Sequence, residues 1–165
     1  MMKFSKFNIL FAIIIISIFI SGCDYGISPL DTPIISGEVH FIGPMPQNVE
    51  LCFVVVAIDR PPNDELDITY LGNYYSVPDS TLFSLEDTTI SPTDTNTINF
   101  KISVSKGTYN WLFVAAIGNQ DSIGIWNVVG EYKADGDTVP TPVTLDWNDS
   151  IYVEITADLN EAHIP

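Results

Sequence analysis

The chain has 165 residues, 46% of them hydrophobic, which is enough for one domain with a packed core. Acidic residues number 21 against 6 basic ones, and without Lys3 and Lys6 the balance is 4 against 21, or a net charge of -17. A surface this acidic repels phosphate backbones and argues against nucleic-acid partners. Two His and two Cys are too few for a Cys/His zinc site, and no cofactor is expected.

The N-terminal segment has the pattern of an export signal. Residues 1–8 carry two lysines and no acid, and Ile9–Ile20 is an apolar run interrupted only by Ser17. A helix of twelve residues rises about 18 Å, which is short of the roughly 30 Å hydrocarbon core of a membrane. The segment therefore predicts a signal helix in a signal peptide that spans residues 1–22.

The next residues, Ile20, Ser21, Gly22 and Cys23, resemble the lipobox of bacterial lipoproteins. The resemblance implies that Cys23 takes a diacylglyceryl group through its thiol and becomes the first residue of the mature protein. The alternative is an ordinary signal peptide with a chance cysteine. The expected location is the bacterial cell envelope, with a membrane as partner through the lipid anchor, and the choice between inner and outer membrane stays open.

Residues 23–33 predict a tether, because Gly, Ser and Pro interrupt any periodicity there. Its ten residues after Cys23 span at most about 35 Å when extended. Acylation of Cys23 leaves Cys52 as the only thiol, without a disulfide partner. Cys52 lies in a strand-like apolar run, and neither His40 nor His163 is close in sequence, so we expect an inert buried thiol.

Residues 34–165 predict an all-β domain. Apolar and polar residues alternate along the predicted half-buried strands, and two central strands are apolar on both faces. The segment 60–96 lacks a clear pattern, with candidates at Ile68–Leu71 and Leu82–Leu85, and we expect at least one edge strand in it. The other predicted strands are Ile35–Phe41, Val49–Asp59, Ile98–Val104, Thr108–Ile117, Trp126–Tyr132, Val143–Leu145 and Ile151–Leu159.

Three short motifs resemble transthyretin-like, or carboxypeptidase regulatory-like, domains. They are the Gly-x-Val start at Ser36–Phe41, the strand Val54–Asp59, and the hairpin from Phe100 through Gly107 to Tyr109. In that hairpin we expect Gly107 to supply an unusual φ and Tyr109 to return an aromatic to the sheet. The resemblance implies one Greek-key-type sandwich of seven to eight strands, and a non-enzymatic accessory or adhesive role.

No catalytic motif is present in the sequence, and two weaker patterns suggest binding. Acidic turns offer oxygen ligands for calcium, although such residues are also common in turns generally; these are Asp135, Asp137, Asp146 and Asp149. We expect these turns to hold no metal. Trp147 and then Trp126 are the aromatic candidates for a carbohydrate platform, with Tyr74 and Tyr75 next, whereas Trp111 belongs to the core.

Together these observations predict a membrane-anchored, non-enzymatic β-sandwich module of the cell envelope, with an unknown envelope protein or glycan as partner. The alternatives are a carbohydrate-binding module that uses exposed aromatics, and a small envelope enzyme or inhibitor.

Overall fold

A computed structural model describes residues 31–46, 48–60, 73–78, 81–82, 95–118 and 124–161. The predicted signal peptide, the lipobox with Cys23, and the strand candidate Ile68–Leu71 lie outside these residues, as do His163 and most of Leu82–Leu85. Within the described residues, no helix has the length and apolar character needed to cross a membrane.

The domain is all-β, as predicted. Two short 3-10 helices, Ile125–Asn127 and Leu159–Glu161, accompany the strands. The described residues contain nine strands, where the sequence predicts seven to eight. They are β1 (Ile34–Ile42), β2 (Val49–Ala57), β3 (Tyr74–Ser76), β4 (Thr95–Ser103), β5 (Gly107–Tyr109), β6 (Trp111–Gly118), β7 (Val128–Glu131), β8 (Val143–Leu145) and β9 (Ser150–Asp158).

Two larger sheets and one two-stranded sheet form the described part of the domain. Sheet A has the order β4-β1-β9, with β1 antiparallel to β4 and parallel to β9. Sheet B has the order β3-β2-β6-β7, and its described pairings are all antiparallel. A separate antiparallel pair joins β5 to β8. Because β1 pairs with β4 and β9 rather than with β2, the pairings of sheet A connect residues far apart in the chain.

The core lies between the sheets and follows from the predicted alternation. Every second residue of β1, β4 and β9 points inward, and all of these are buried except the half-buried Asn96 and Ile151 near the strand starts. The residues between them are half-buried in β1 and mostly exposed in β4 and β9. Strand β6 is buried along all eight residues, because the outer face of sheet B carries a second apolar cluster. Trp111 belongs to this second cluster and is 1% exposed, so its assignment to the core is confirmed.

The predicted strand Thr108–Ile117 divides at Asn110 into β5 and β6, which pair with different strands. Tyr109 is buried as expected, and its hydroxyl donates a hydrogen bond of 2.7 Å to the Ser105 carbonyl. The expectation for Gly107 is wrong, because its φ is not positive and no atom lies within 4 Å of a Cβ built there. Among the described glycines after β4, the one with a positive φ is Gly136, at 89° in the turn between β7 and β8.

The expected edge strand in the poorly patterned segment is present as β3, a three-residue strand that pairs with β2. At the opposite edge of sheet B, β7 packs against β9 of sheet A. Gly130 makes this approach possible, since a Cβ there would overlap the Thr156 carbonyl oxygen and lie 2.9 Å from the Ala157 Cα. The seam between β7 and β9 positions the candidate site.

Candidate functional site

A solvent-open groove of about 520 Å³ follows the seam between β7 and β9. Its lining combines apolar side chains with charged residues of both signs: Arg60, Ile125, Val128, Val129, Gly130, Glu131, Lys133, Glu154, Thr156 and Asp158. The cations come from segments that follow strands of sheet B, whereas Glu154 and Asp158 project from β9 of sheet A. The groove therefore has a basic side and an acidic side.

Trp111 holds the basic side in place. The Arg60 guanidinium carbon lies 5.4 Å from the centroid of the Trp111 ring, within the range of a cation–π contact. The indole N–H of Trp111 donates a 2.8 Å hydrogen bond to Glu131 Oε1, and Lys133 Nζ lies 3.5 Å from Glu131 Oε2. Phe113 stacks on Trp111 with 3.9 Å between the ring centroids. One buried tryptophan thus contacts Arg60 through its ring and is linked to Lys133 through the Glu131 carboxylate.

This arrangement is suited to binding a partner with charges of both signs. Arginine presents a planar set of donors to a carboxylate, and the acids of β9 accept hydrogen bonds from cationic or N–H groups. Glu131 already accepts the hydrogen bond from Trp111 and forms an ion pair with Lys133, so it acts mainly to position these two residues. In the part of the chain that the structure describes, no group of three His, Cys, Asp or Glu side chains is placed to hold a metal ion.

The two tryptophans predicted for a carbohydrate platform lie at opposite ends of the domain. Trp147 is 43% exposed in the turn that enters β9, at the end of sheet A where β1 begins. Trp126 lies in the 3-10 helix before β7, near the end of β6. The end of β1 connects to the start of β2, and the start of β2 pairs with the end of β6. Trp126 is therefore near the end of β1, whereas Trp147 is near its start. The two rings cannot share one platform.

Trp126 is also an unsuitable platform on its own. The ring is half-buried, and its Nε1 is enclosed without a hydrogen-bond partner among the described residues. Sequence reasoning missed a better companion for Trp147. Tyr152, 55% exposed, lies five residues further along on the solvent face of β9, where the alternation of that strand places it. Tyr74 is 53% exposed, but it packs edge-on against Phe53 on sheet B.

The predicted calcium candidates act locally in their turns. Asp146 Oδ1 lies 2.8 Å from Lys106 Nζ, and this hydrogen bond, with one from the Trp147 backbone N–H, lowers the pKa of Asp146. Asp149 accepts a 2.7 Å hydrogen bond from the Asp146 backbone N–H. In the other turn, Asp137 accepts one from the Thr141 hydroxyl, and Asp135 is exposed. Three of the four acids thus stabilise their own turns through hydrogen bonds, and Asp135 faces solvent.

Cys52 and His40 do not form a catalytic pair. Cys52 is buried in the core, and this burial raises the pKa of its thiol to about 12. His40 lies on the solvent face of sheet A, with Nδ1 2.9 Å from the Thr97 hydroxyl and Nε2 3.8 Å from Glu38. The core side of sheet A and the strands themselves therefore separate the thiol from His40, the only histidine among the described residues.

The groove itself escaped the sequence analysis. Its charged residues are separated by up to 98 positions, from Arg60 to Asp158, and only the packing of β7 on β9 brings them together. One feature of the sequence could have drawn attention to Arg60, because it is the single arginine of a chain with only 6 basic residues.

Three comparisons with known proteins add no relative. No protein-family model, no curated protein and no solved structure matches this chain.

Proposed function

We propose that the chain is an exported lipoprotein, held to a membrane of the bacterial cell envelope by acyl groups on Cys23. The observation that carries this proposal is the sequence Ile20-Ser21-Gly22-Cys23 at the end of a twelve-residue apolar run. Ten residues separate Cys23 from Ile34, the first residue of β1. The domain would therefore sit within about 35 Å of the membrane surface.

The domain, in this proposal, is a transthyretin-like sandwich of Greek-key type that works as a non-enzymatic binding module. Support for this type of fold comes from the motif residues that have structural roles here. Gly37 lies against β9 where no side chain fits, and Tyr109 fastens the connection between β4 and β5. Fold type does not specify chemistry, so the binding role depends on the groove between β7 and β9.

The partner that fits the groove best is an envelope protein with charges of both signs. A polyanion would be repelled by Glu154, Asp158 and the net charge of -17, which follows from 4 basic and 21 acidic residues after removal of residues 1–22. A purely cationic ligand would be repelled by Arg60 and Lys133. A folded protein surface presents both signs within the length of the groove.

Anchoring is tested by metabolic labelling with a radioactive fatty acid. We expect the wild type and Cys52→Ala to incorporate label and to sediment with membranes, because Cys52 is buried in the core. We expect Cys23→Ala to incorporate none. Label on the Cys23→Ala protein would refute the lipobox interpretation, whether or not that protein sediments with membranes.

Binding in the groove is tested with a photo-crosslinking amino acid at Lys133, compared with the same group at Val139, which is exposed outside the groove. We expect one discrete adduct in cells from position 133, lost when Arg60→Gln is added. An adduct that also forms from position 139, or that persists in Arg60→Gln, would exclude the groove as the binding site.

A carbohydrate-binding role is the second candidate, favoured by the exposure of Trp147 and Tyr152 near the start of β9. Sugars stack on exposed aromatic rings, so Trp147→Ala should abolish sedimentation of the protein with insoluble peptidoglycan or cellulose. Tyr74→Ala is the matched control, because Tyr74 is an exposed aromatic on the other sheet, 53% exposed against 43% for Trp147. Equal sedimentation of both variants would rule out the Trp147 platform.

A further inference from the structure

Strand β4 forms a long edge of sheet A. It pairs with β1 along nine consecutive residues without a register shift, and no described residue pairs with its other side. The other sheet edges are protected differently. Strands β3 and β7 have three and four residues. Strand β9 carries Glu154 and Asp158, and each long edge of sheet A has a short strand of sheet B nearby, with β7 near β9 and β3 near β4. Natural proteins usually protect a free edge with charges, prolines or bulges, and β4 has only Lys101.

The register shows which backbone groups this edge presents. Just beyond the strand, the Val104 N–H donates a 2.9 Å hydrogen bond to the Pro33 carbonyl. Hydrogen-bonded pairs alternate in an antiparallel ladder, so the even-numbered residues of β4 bond to β1. The N–H and C=O groups of the odd-numbered residues therefore point away from the sheet. They are Thr95, Thr97, Asn99, Lys101 and Ser103.

These five residues also have exposed side chains, and none of them is acidic. In a domain with a net charge of -17, most surfaces of two copies repel each other. The edge of β4, which carries one positive charge, is an exception. A second copy of this chain can therefore approach here without facing acids directly.

We propose that β4 pairs with β4 of a second copy, antiparallel and about a two-fold axis through Asn99. Asn99 then faces Asn99 of the second copy, Thr97 faces Lys101, and Thr95 faces Ser103. Every outward N–H and C=O of the strand finds a partner, and the two copies of sheet A join into one six-stranded sheet. On the inner side, Ile98 of one copy meets Phe100 of the other.

Charge and length select this register over its neighbours. A two-fold axis through Lys101 would place two ammonium groups opposite each other, which destabilises a cross-strand pair. An axis through Thr97 would leave the Lys101 and Ser103 backbone groups unpaired. The axis through Asn99 is the one that uses the whole strand.

Disulfide trapping in native membranes tests both the contact and its register. Residues that face each other in a hydrogen-bonded antiparallel pair have Cα atoms about 5.5 Å apart, within the range that a disulfide spans. We expect Asn99→Cys to give a dimer band on a non-reducing gel after mild oxidation. Lys101→Cys should give none, because the two copies of residue 101 would be four residues out of register and about 14 Å apart. The wild type reports any background from Cys23 and Cys52.

A mixture of Thr97→Cys and Lys101→Cys chains should form the crosslinked heterodimer, as the register requires. Addition of Val139→Glu to Asn99→Cys is the charge control, because Val139 is exposed outside the groove and outside sheet A, and it should leave trapping unchanged. Addition of Thr97→Glu should reduce trapping at least fivefold. Equal trapping of Asn99→Cys and Lys101→Cys, or no trapping above wild type, would overturn the proposal.

Discussion

Gly37 on β1 lies so close to Val153 on β9 that a Cβ at position 37 would overlap the Val153 carbonyl oxygen. The two residues are register partners in the parallel pairing of these strands. The missing side chain is therefore a condition for β9 to lie beside β1, and through β9 it is also a condition for the seam where the groove forms.

Replacement of Gly37 by alanine should lower the free energy of unfolding by about 3 kcal/mol, at the upper end of the range for overpacked cores, because the obstructing atom is backbone. Gly107→Ala is the matched control. A Cβ there meets no atom within 4 Å, so its effect should stay within about 0.5 kcal/mol. Urea denaturation midpoints give both values, and equal midpoints for the two variants would contradict the packing argument.

Cys52 should react with a thiol reagent slowly in the folded protein and rapidly in denaturant. Burial keeps the reagent out and raises the pKa of the thiol to about 12, so almost no thiolate is present at neutral pH. The measurement is the rate of colour release from an aromatic disulfide reagent at pH 7.5. Cys52→Ala corrects for any signal from Cys23. Rapid native labelling that disappears in Cys52→Ala would show that Cys52 is accessible.

Tyr109→Phe should cost about 1 kcal/mol at pH 7, through loss of the hydrogen bond to Ser105. Burial raises the pKa of Tyr109 above its ordinary value of 10.0. The unfolded tyrosine therefore ionises first as the pH rises, and the stability that the hydroxyl contributes is present below pH 10 and lost above it. The difference between wild type and Tyr109→Phe should shrink between pH 9 and pH 11. A constant difference across that window would exclude the effect.

Salt should stabilise the domain without a specific calcium effect. Self-repulsion at a net charge of -17 weakens as ions screen it, so moderate sodium chloride should raise the melting temperature. Calcium at the millimolar scale, compared at fixed ionic strength, should add nothing for the wild type or for Asp137→Asn. A calcium-specific rise of several degrees that Asp137→Asn removes would instead reveal a bound ion.

The parts of the fold that were predicted from the sequence are those in which local pattern decides burial. The alternation in β1, β4 and β9 gives their inward faces, and the unbroken apolar run of β6 gives a strand buried on both sides. Such local patterns do not predict which strands pair with each other. Nothing local indicates that the chain changes partner at Asn110, so that β5 joins β8.

The candidate site shows the same division between local and long-range information. The exposure of Trp147 in a polar turn could be predicted from its neighbours, and so could the burial of Cys52 in an apolar strand. Trp126 lies in a 3-10 helix before β7, where the sequence predicted the start of a strand, and its ring is half-buried. The groove depends on contact between segments that are distant in sequence, so no local pattern indicated that Arg60 and Glu154 line the same groove.

The parallel pairing of β1 with β9 also determines how the domain would bear tension. Residues ahead of Ile34 leave at one end of this strand pair, and residues after Asp158 leave at the other. A pull between those two ends would slide the strands past each other along their axis. All the hydrogen bonds of the nine-residue pairing would then resist together, whereas a pull from one end alone would open them one at a time. A lipid anchor before β1 and a partner held beyond β9 would thus strain the molecule along its mechanically strongest direction.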